Sequence, residues 1–139
     1  MDSDRRLEKY FLVLTLGAAV TCTRFPGGTE SGAVTGRWGG PRADLTLIET
    51  GGTIEYDCAH GGIGSAVNAD RAGRFDVAGV HVREHGGPAL IGERPDSLSA
   101  RYVGRVSGDR MTLRVFVAAD TLGPFDLVRD KAAQLVKCL

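Results

Sequence analysis

Alternating apolar and polar residues separated by glycine-rich turns cover most of the chain after about residue 36. The clearest case is the pair of runs 99–106 and 110–117, which flank Ser107-Gly108-Asp109. Side chains two apart lie on the same face of a β-strand, so in the second run Met111 and every second residue after it form one apolar face. The pattern predicts an antiparallel hairpin.

A second hairpin is predicted from the runs 43–47 and 53–58, joined by a turn at Thr50-Gly51-Gly52. If its second strand continues past residue 58, the two-residue period places Cys58 and His60 on the same inward face as Ile54. The longest strand candidate is 74–84. Both of its faces are partly apolar, so the sequence leaves open which of them points inward.

The last strand candidate is 122–129, and the segment 134–138 is either a further strand or part of a short helix capped by Asp130. We favour an extended end, because Cys138 can then reach the strand that carries Cys58. About seven or eight strands without a long helical pattern predict an all-β fold, a single small antiparallel meander closed as a barrel or folded as a sandwich.

The N-terminal segment follows a different pattern. Arg5, Arg6 and Lys9 precede an apolar run over 10–20, which is typical of an export signal and is shorter than the roughly 20 residues of a membrane-spanning helix. We predict a signal peptide at 1–22. The alternative is an ordinary N-terminal helix or strand packed on the domain. Residues 23–35 are rich in Gly, Ser, Thr and Pro and are interpreted as a flexible tether, and residues 36–139 as the β-barrel domain.

Cys22 ends a segment that resembles a bacterial lipoprotein signal, which implies lipidation of this cysteine. The competing interpretation is cleavage near Ala19, which leaves Cys22 as a spare thiol. The chain has three cysteines, so lipidation of Cys22 would leave Cys58 and Cys138 as a disulfide pair. Two buried free thiols in a cytoplasmic protein are the alternative.

Charge argues against a nucleic-acid partner. The chain has 17 Lys and Arg against 17 Asp and Glu, and three of each lie in the first 22 residues, so the predicted domain is also neutral. Acids and arginines are interleaved between Arg74 and Arg114, and no basic stripe for a phosphate backbone is evident.

The candidate chemistry lies in the three histidines. His60, His81 and His85, with Glu84, are a candidate set of ligands for zinc or copper. On a continuous strand His81 and His85 would be roughly 13 Å apart, too far to share an ion without a bend. The competing interpretation is structural histidines at a barrel rim. No Gly-x-Ser-x-Gly elbow and no phosphate loop is present, so no catalytic residue is assigned and an enzyme is not favoured.

Two resemblances add to this picture. Gly36-Arg37-Trp38 resembles the opening of lipocalin-like barrels, which implies that Trp38 plugs one barrel end and that a late arginine, here Arg129, packs over it. The segments 54–61, 79–88, 127–129 and 137–138 resemble a set of small bacterial proteins, a resemblance that implies no assigned activity.

Together these observations predict an exported protein, periplasmic or tethered to a membrane by lipid at Cys22, that binds a small apolar ligand or a partner protein. No cofactor is indicated in this interpretation. The alternative is a metal-binding protein or metal-dependent enzyme that uses zinc or copper.

Overall fold

A computed structural model describes residues 31–88 and 90–138. The predicted signal peptide and Cys22 lie outside the described residues. The strands of the described part are β1 (Gly32–Ala33), β2 (Gly36–Gly40), β3 (Ala43–Ile48), β4 (Gly51–Tyr56), β5 (Ala59–Ile63), β6 (Asn68–Ala69), β7 (Arg74–Arg83), β8 (Asp96–Ser107), β9 (Arg110–Val117) and β10 (Asp120–Arg129). The all-β prediction is confirmed.

Eight of these strands form a closed antiparallel barrel in the order β2-β3-β4-β5-β7-β8-β9-β10, and β10 returns to pair with β2. The barrel closes through Val128 opposite Gly39 and Arg129 opposite Trp38. Of the two architectures left open by the sequence, the structure is therefore the barrel. The helix considered for the C-terminal segment is not formed, and the described residues include no helix long and apolar enough to cross a membrane.

The barrel interior is filled by the inward side chains of the alternating strands. In β7 the inward face carries Phe75, Val77, Gly79 and His81, which settles the orientation that the sequence left open. The largest fully buried side chains are Trp38, Tyr102, Leu45, Leu47, Ile54, Met111, Leu113, Leu127, Val67, Val115 and Val117. Most of the barrel is thus a packed core, as expected for eight strands.

One end of the barrel, which we call the tryptophan end, is covered by chain. The guanidinium of Arg129 lies 4.2 Å from the centroid of the Trp38 ring. Arg129 Nη1 and Trp38 Nε1 both donate to the Thr35 carbonyl, at 2.9 and 3.3 Å. The small sheet of β1 and β6 lies at this end, with Val34 buried beside it. Residues 31–35, which the sequence assigned to the tether, therefore belong to the folded domain.

The opposite end, which we call the mouth, carries the turns at 41–42, 57–58 and 118–119 and the loop 84–95. The C-terminal segment runs along the outside of the mouth. Gln134 exchanges backbone hydrogen bonds with this end of the barrel, donating to Gly40 O at 3.1 Å and accepting from Arg42 N at 2.8 Å. The predicted disulfide between Cys58 and Cys138 is confirmed, with the two Cα atoms 4.9 Å apart.

Candidate functional site

The turn at residues 57–58 decides where several predicted site residues lie. β4 ends at Tyr56, and Cys58 takes a left-handed conformation with φ of 56°, so the chain reverses there into β5. The sequence-based expectation that Cys58 and His60 continue the inward face of Ile54 was wrong. His60 instead pairs with Glu55 on the outward face, because the turn resets the alternation.

The four candidate metal ligands are divided among three places. His60 Nδ1 lies 2.8 Å from Glu84 Oε1 on the outer surface. His85 lies in the loop after β7 and contacts Glu93 at 2.6 Å, because the strand ends at Arg83 and does not carry His85 onto the His81 face. His81 points into the barrel. Within residues 31–88 and 90–138, no group of three or more His, Cys, Asp or Glu side chains is arranged to hold a metal ion.

The local contacts of these outer groups follow simple electrostatics. The hydrogen bond from His60, followed by the attraction of Lys137, keeps the pKa of Glu84 below its usual range. The pKa of His85 is raised, first by its contact with the Gly86 carbonyl and then by Glu93. Such pairs at an exposed rim are typical of surface ion pairs and contribute little to stability.

The mouth contains a cavity of about 490 Å³. This volume falls within the range of roughly 300–1,000 Å³ that is usual for sites that bind small molecules. Its wall combines apolar and polar side chains, among them Tyr56, His81, Arg83, Leu122, Phe125 and Asp57. The sequence predicted an inward position for Tyr56 but gave no indication that Tyr56 and Phe125 would line a cavity with His81.

Two polar atoms buried in this wall have no hydrogen-bond partner among the described residues, namely Tyr56 Oη and His81 Nδ1. The two residues are only 3% and 5% exposed, and their ring centroids are 5.5 Å apart. Leaving a buried donor or acceptor unpaired costs about 1–3 kcal/mol. Two such groups therefore lie side by side in the wall of one cavity, and a ligand group that reaches them would be stabilised by hydrogen bonds.

Tyr102 lies close to Tyr56 inside the barrel and is fully buried. Its hydroxyl donates to the Val80 carbonyl at 2.7 Å, so this proton is already engaged within the barrel. A side chain at Gly61 would collide with its hydroxyl, and one at Gly79 would collide with its ring. The glycines of the sequence motifs around His60 and His81 thus make room for Tyr102.

Burial sets the protonation of both unpaired groups. It lowers the pKa of His81 from its ordinary value of 6.5, and the positive charge of Arg83 lowers that pKa further, so the imidazole is neutral at pH 7. Burial also raises the pKa of Tyr56 well above its usual range, with the nearby Tyr102 as the second cause. The site thus offers a neutral hydroxyl and a neutral imidazole, each able to donate or accept a hydrogen bond.

Charges are confined to the rim of the mouth. Arg83 follows His81 on the inward face of β7 and is 54% exposed, with Asp96 and Asp120 at 3.8 and 4.0 Å. Arg42 is held by Asp57 through a 2.7 Å hydrogen bond. The rim therefore carries both signs, and the interior of the cavity carries no formal charge at neutral pH.

The turns around the mouth are strained. Arg42, Cys58 and Ala118 have positive φ values of 67°, 56° and 51°, and each lies in a different mouth turn. Residues other than glycine enter this region at a cost of order 1–3 kcal/mol, and such residues concentrate at binding and active sites.

Comparison of the chain with known protein families, with curated proteins and with solved structures finds no match.

Proposed function

We propose that this protein binds a small, partly apolar, uncharged molecule in the mouth of its barrel. The observation that carries the proposal is the pair of buried, unpartnered atoms, Tyr56 Oη and His81 Nδ1, in the wall of the 490 Å³ cavity. A ligand hydroxyl, carbonyl or amide would form a hydrogen bond with at least one of these atoms, and its apolar body would lie against Leu122 and Phe125. A charged head group fits less well, because burying a charge without a partner of opposite sign is costly.

The test uses two probes that differ by one hydroxyl group, naphthol and naphthalene, with binding followed by fluorescence. We expect naphthol to bind about fivefold more tightly, the gain of one hydrogen bond of about 1 kcal/mol. In the double variant Tyr56→Phe, His81→Leu this preference should disappear while naphthalene still binds. Equal binding of the two probes to the unaltered protein, or no binding of either, would contradict the proposal.

A control variant identifies adventitious binding to exposed apolar residues. Ile48 is 58% exposed and ends β3 at the tryptophan end, far along the barrel from the mouth. Ile48→Ser should leave the affinity for both probes unchanged. If Ile48→Ser weakened the binding of both probes, the probes would be binding outside the mouth.

This binding protein acts outside the cytoplasm. The disulfide between Cys58 and Cys138 supports this part of the proposal, because such bonds persist in oxidising compartments. The basic and apolar pattern of residues 1–22 supports it independently, and lipid at Cys22 would tether the domain to a membrane. The intact mass of the natively expressed protein tests all three features, since cleavage, lipid and disulfide each change it. A full-length chain with three free thiols would contradict this location.

A further inference from the structure

The outer face of β7, β8 and β9 brings together arginines that are spread along the sequence. Arg105 lies directly opposite Arg74 on one side and opposite Thr112 on the other. Arg110 and Arg114 are the outward neighbours of Thr112 along β9, so both lie diagonally from Arg105, about 7–8 Å away between Cα atoms. All four side chains are exposed. We call this surface the arginine groove.

Among the described residues, three of the four arginines of the arginine groove have no carboxylate at ion-pair distance, and the acid of the neighbouring strand, Asp126, is hydrogen-bonded to Thr112 at 3.1 Å. Arg74 is paired with Asp70 at 3.0 Å, and Asp76 is bonded to Arg101. In the part of the chain that the structure describes, no carboxylate lies within 4.0 Å of Arg105, Arg110 or Arg114. Like charges directly opposite each other on neighbouring strands are destabilising. The whole chain has equal numbers of acidic and basic residues, so the excess of positive charge in the arginine groove is local to this surface.

The groove also has an apolar floor. It is an open depression of about 780 Å³, and its lining includes the outward apolar side chains of Val103 and Phe116 among the arginines. Phe116 lies on the outward face of β9 and is 38% exposed, although it is a large apolar residue. Arg105 Nε donates to the Ala72 carbonyl at 3.1 Å, but no carboxylate pairs with this guanidinium or with those of Arg110 and Arg114 in the described part of the chain. A surface that joins an exposed aromatic ring to such guanidinium groups is suited to a ligand that is both anionic and apolar, since arginine and aromatic residues are enriched where proteins recognise one another.

We infer that the arginine groove docks an acidic, extended segment of a partner protein that also carries an apolar side chain. The distance from Arg110 to Arg114 along β9 is about 13 Å, the length of about four extended residues. Carboxylates on such a segment would pair with Arg105, Arg110 and Arg114, whose planar groups suit bidentate contacts. A simple polyanion would use the charges but leave the floor of Val103 and Phe116 without a partner. This surface is separate from the mouth, so the inference does not depend on the proposed ligand.

The experiment measures the fluorescence anisotropy of a labelled peptide in which glutamates surround one phenylalanine and one leucine. Arg105→Glu should weaken binding about tenfold, because an attraction becomes a like-charge repulsion. Arg94→Glu is the matched control, since it makes the same change of net charge at an exposed position in the loop of the mouth. An equal loss in the two variants would overturn the inference by showing a general charge effect.

A second variant separates a protein segment from other anions. Phe116→Ser should weaken binding of the peptide and leave unchanged the binding of a second peptide in which serines replace its phenylalanine and leucine. Dextran sulfate and vesicles with anionic lipids are the competing probes. Displacement of the peptide by either of them at equal charge concentration, with no effect of Phe116→Ser, would overturn the assignment to a protein partner. Unchanged thermal unfolding of each variant checks that the barrel is intact.

Discussion

Tyr56 and Tyr102 are both buried in the barrel, but only Tyr102 has its hydroxyl paired within it. Tyr102→Phe removes the hydrogen bond to Val80 and should lower the free energy of unfolding by about 1 kcal/mol. Tyr56→Phe removes an unpaired buried hydroxyl, so it should leave stability unchanged or raise it by about 1 kcal/mol. Urea unfolding of the two variants in parallel measures the contrast.

The pair of variants also distinguishes a binding role from a structural role for Tyr56. If Tyr56→Phe is destabilising to the same extent as Tyr102→Phe, the Tyr56 hydroxyl has a partner inside the fold and is not free for a ligand. If the variant is more stable and has lost the preference for naphthol over naphthalene, the unpaired hydroxyl is retained at the expense of stability, as is common in functional sites.

His81 gives stability a dependence on pH. Its pKa in the folded protein is lowered from 6.5 by burial and by Arg83, so the unfolded chain takes up a proton more readily. The associated stability is complete above the unfolded pKa of about 6.5 and is lost as the pH falls below it toward the lowered pKa of the folded state. The free energy of unfolding should therefore fall less steeply between pH 7 and pH 5 in His81→Leu than in the unaltered protein.

His85 provides a control of opposite sign. Its pKa in the folded protein is raised, so its contribution is present below the unfolded pKa and is lost as the pH rises through the folded one. His85→Gln should therefore make the decline toward pH 5 steeper or leave it unchanged. Identical slopes in His81→Leu and the unaltered protein would mean that His81 does not titrate differently in the folded and unfolded states.

At the scale of single strands, β5 contains two neighbouring glycines that face opposite sides, and only one of them is required by the packing. A methyl group on Gly61 would collide with the Tyr102 hydroxyl and lie 2.7 Å from the Val80 oxygen, so it would disturb the hydrogen bond between them. A methyl group on Gly62 would lie 3.6 Å from Val80 Cγ2, an ordinary contact. Gly61→Ala should lower the free energy of unfolding by about 1–3 kcal/mol, and Gly62→Ala should change it by less than about 0.5 kcal/mol.

Thermal or urea unfolding of the two alanine variants measures this difference directly. They match in composition and in their loss of backbone freedom, since both replace a glycine within β5. Equal destabilisation would show that strand conformation, rather than the space for Tyr102, requires glycine at these positions.

The strands that sequence could predict are those whose inward positions carry large apolar side chains. In β9 every second residue from Met111 to Val117 is buried, and the alternation was sufficient to place the strand. β5 was missed because Gly61, which faces inward, has no side chain to continue the apolar pattern. The turn before β5 was also missed, because Cys58 adopts a positive φ there and a cysteine gives no local sequence signal for such a turn.

The candidate site was only partly predictable for the same physical reason. His81 was recognised as a residue with chemistry, but its partner Tyr56 lies on a strand that is not its neighbour, since β5 stands between β4 and β7. Which side chains meet inside a closed barrel depends on the register of every intervening pair. A shift of one residue in any pair would turn a strand's side chains to the other face, so no local pattern gives the contact.

At the scale of the whole molecule, the disulfide joins residues 80 positions apart and holds the C-terminal segment beside the mouth. Besides the disulfide, the segment is held by a 2.7 Å hydrogen bond from Val136 N to Asp57 Oδ1 and a 2.6 Å ion pair between Lys137 and Glu55. A loop of this length corresponds to roughly 4–5 kcal/mol in the chain-entropy model. Cys58→Ser, Cys138→Ser should therefore be less stable by several kcal/mol.

Among the described residues, the lysines are Lys131 and Lys137, both of which lie in this segment, so a lysine-specific protease reports on it with little interference from the barrel. Hydrogen bonds through Gln134 and the ion pairs of Lys137 remain when the disulfide is removed, but they are exposed and individually weak. We expect cleavage after Lys131 to become faster in the double serine variant while the far-ultraviolet circular dichroism stays that of a β-barrel. Unchanged cleavage would show that these noncovalent contacts suffice to hold the segment, and loss of the β signal would show that the covalent link is required for closure of the barrel itself.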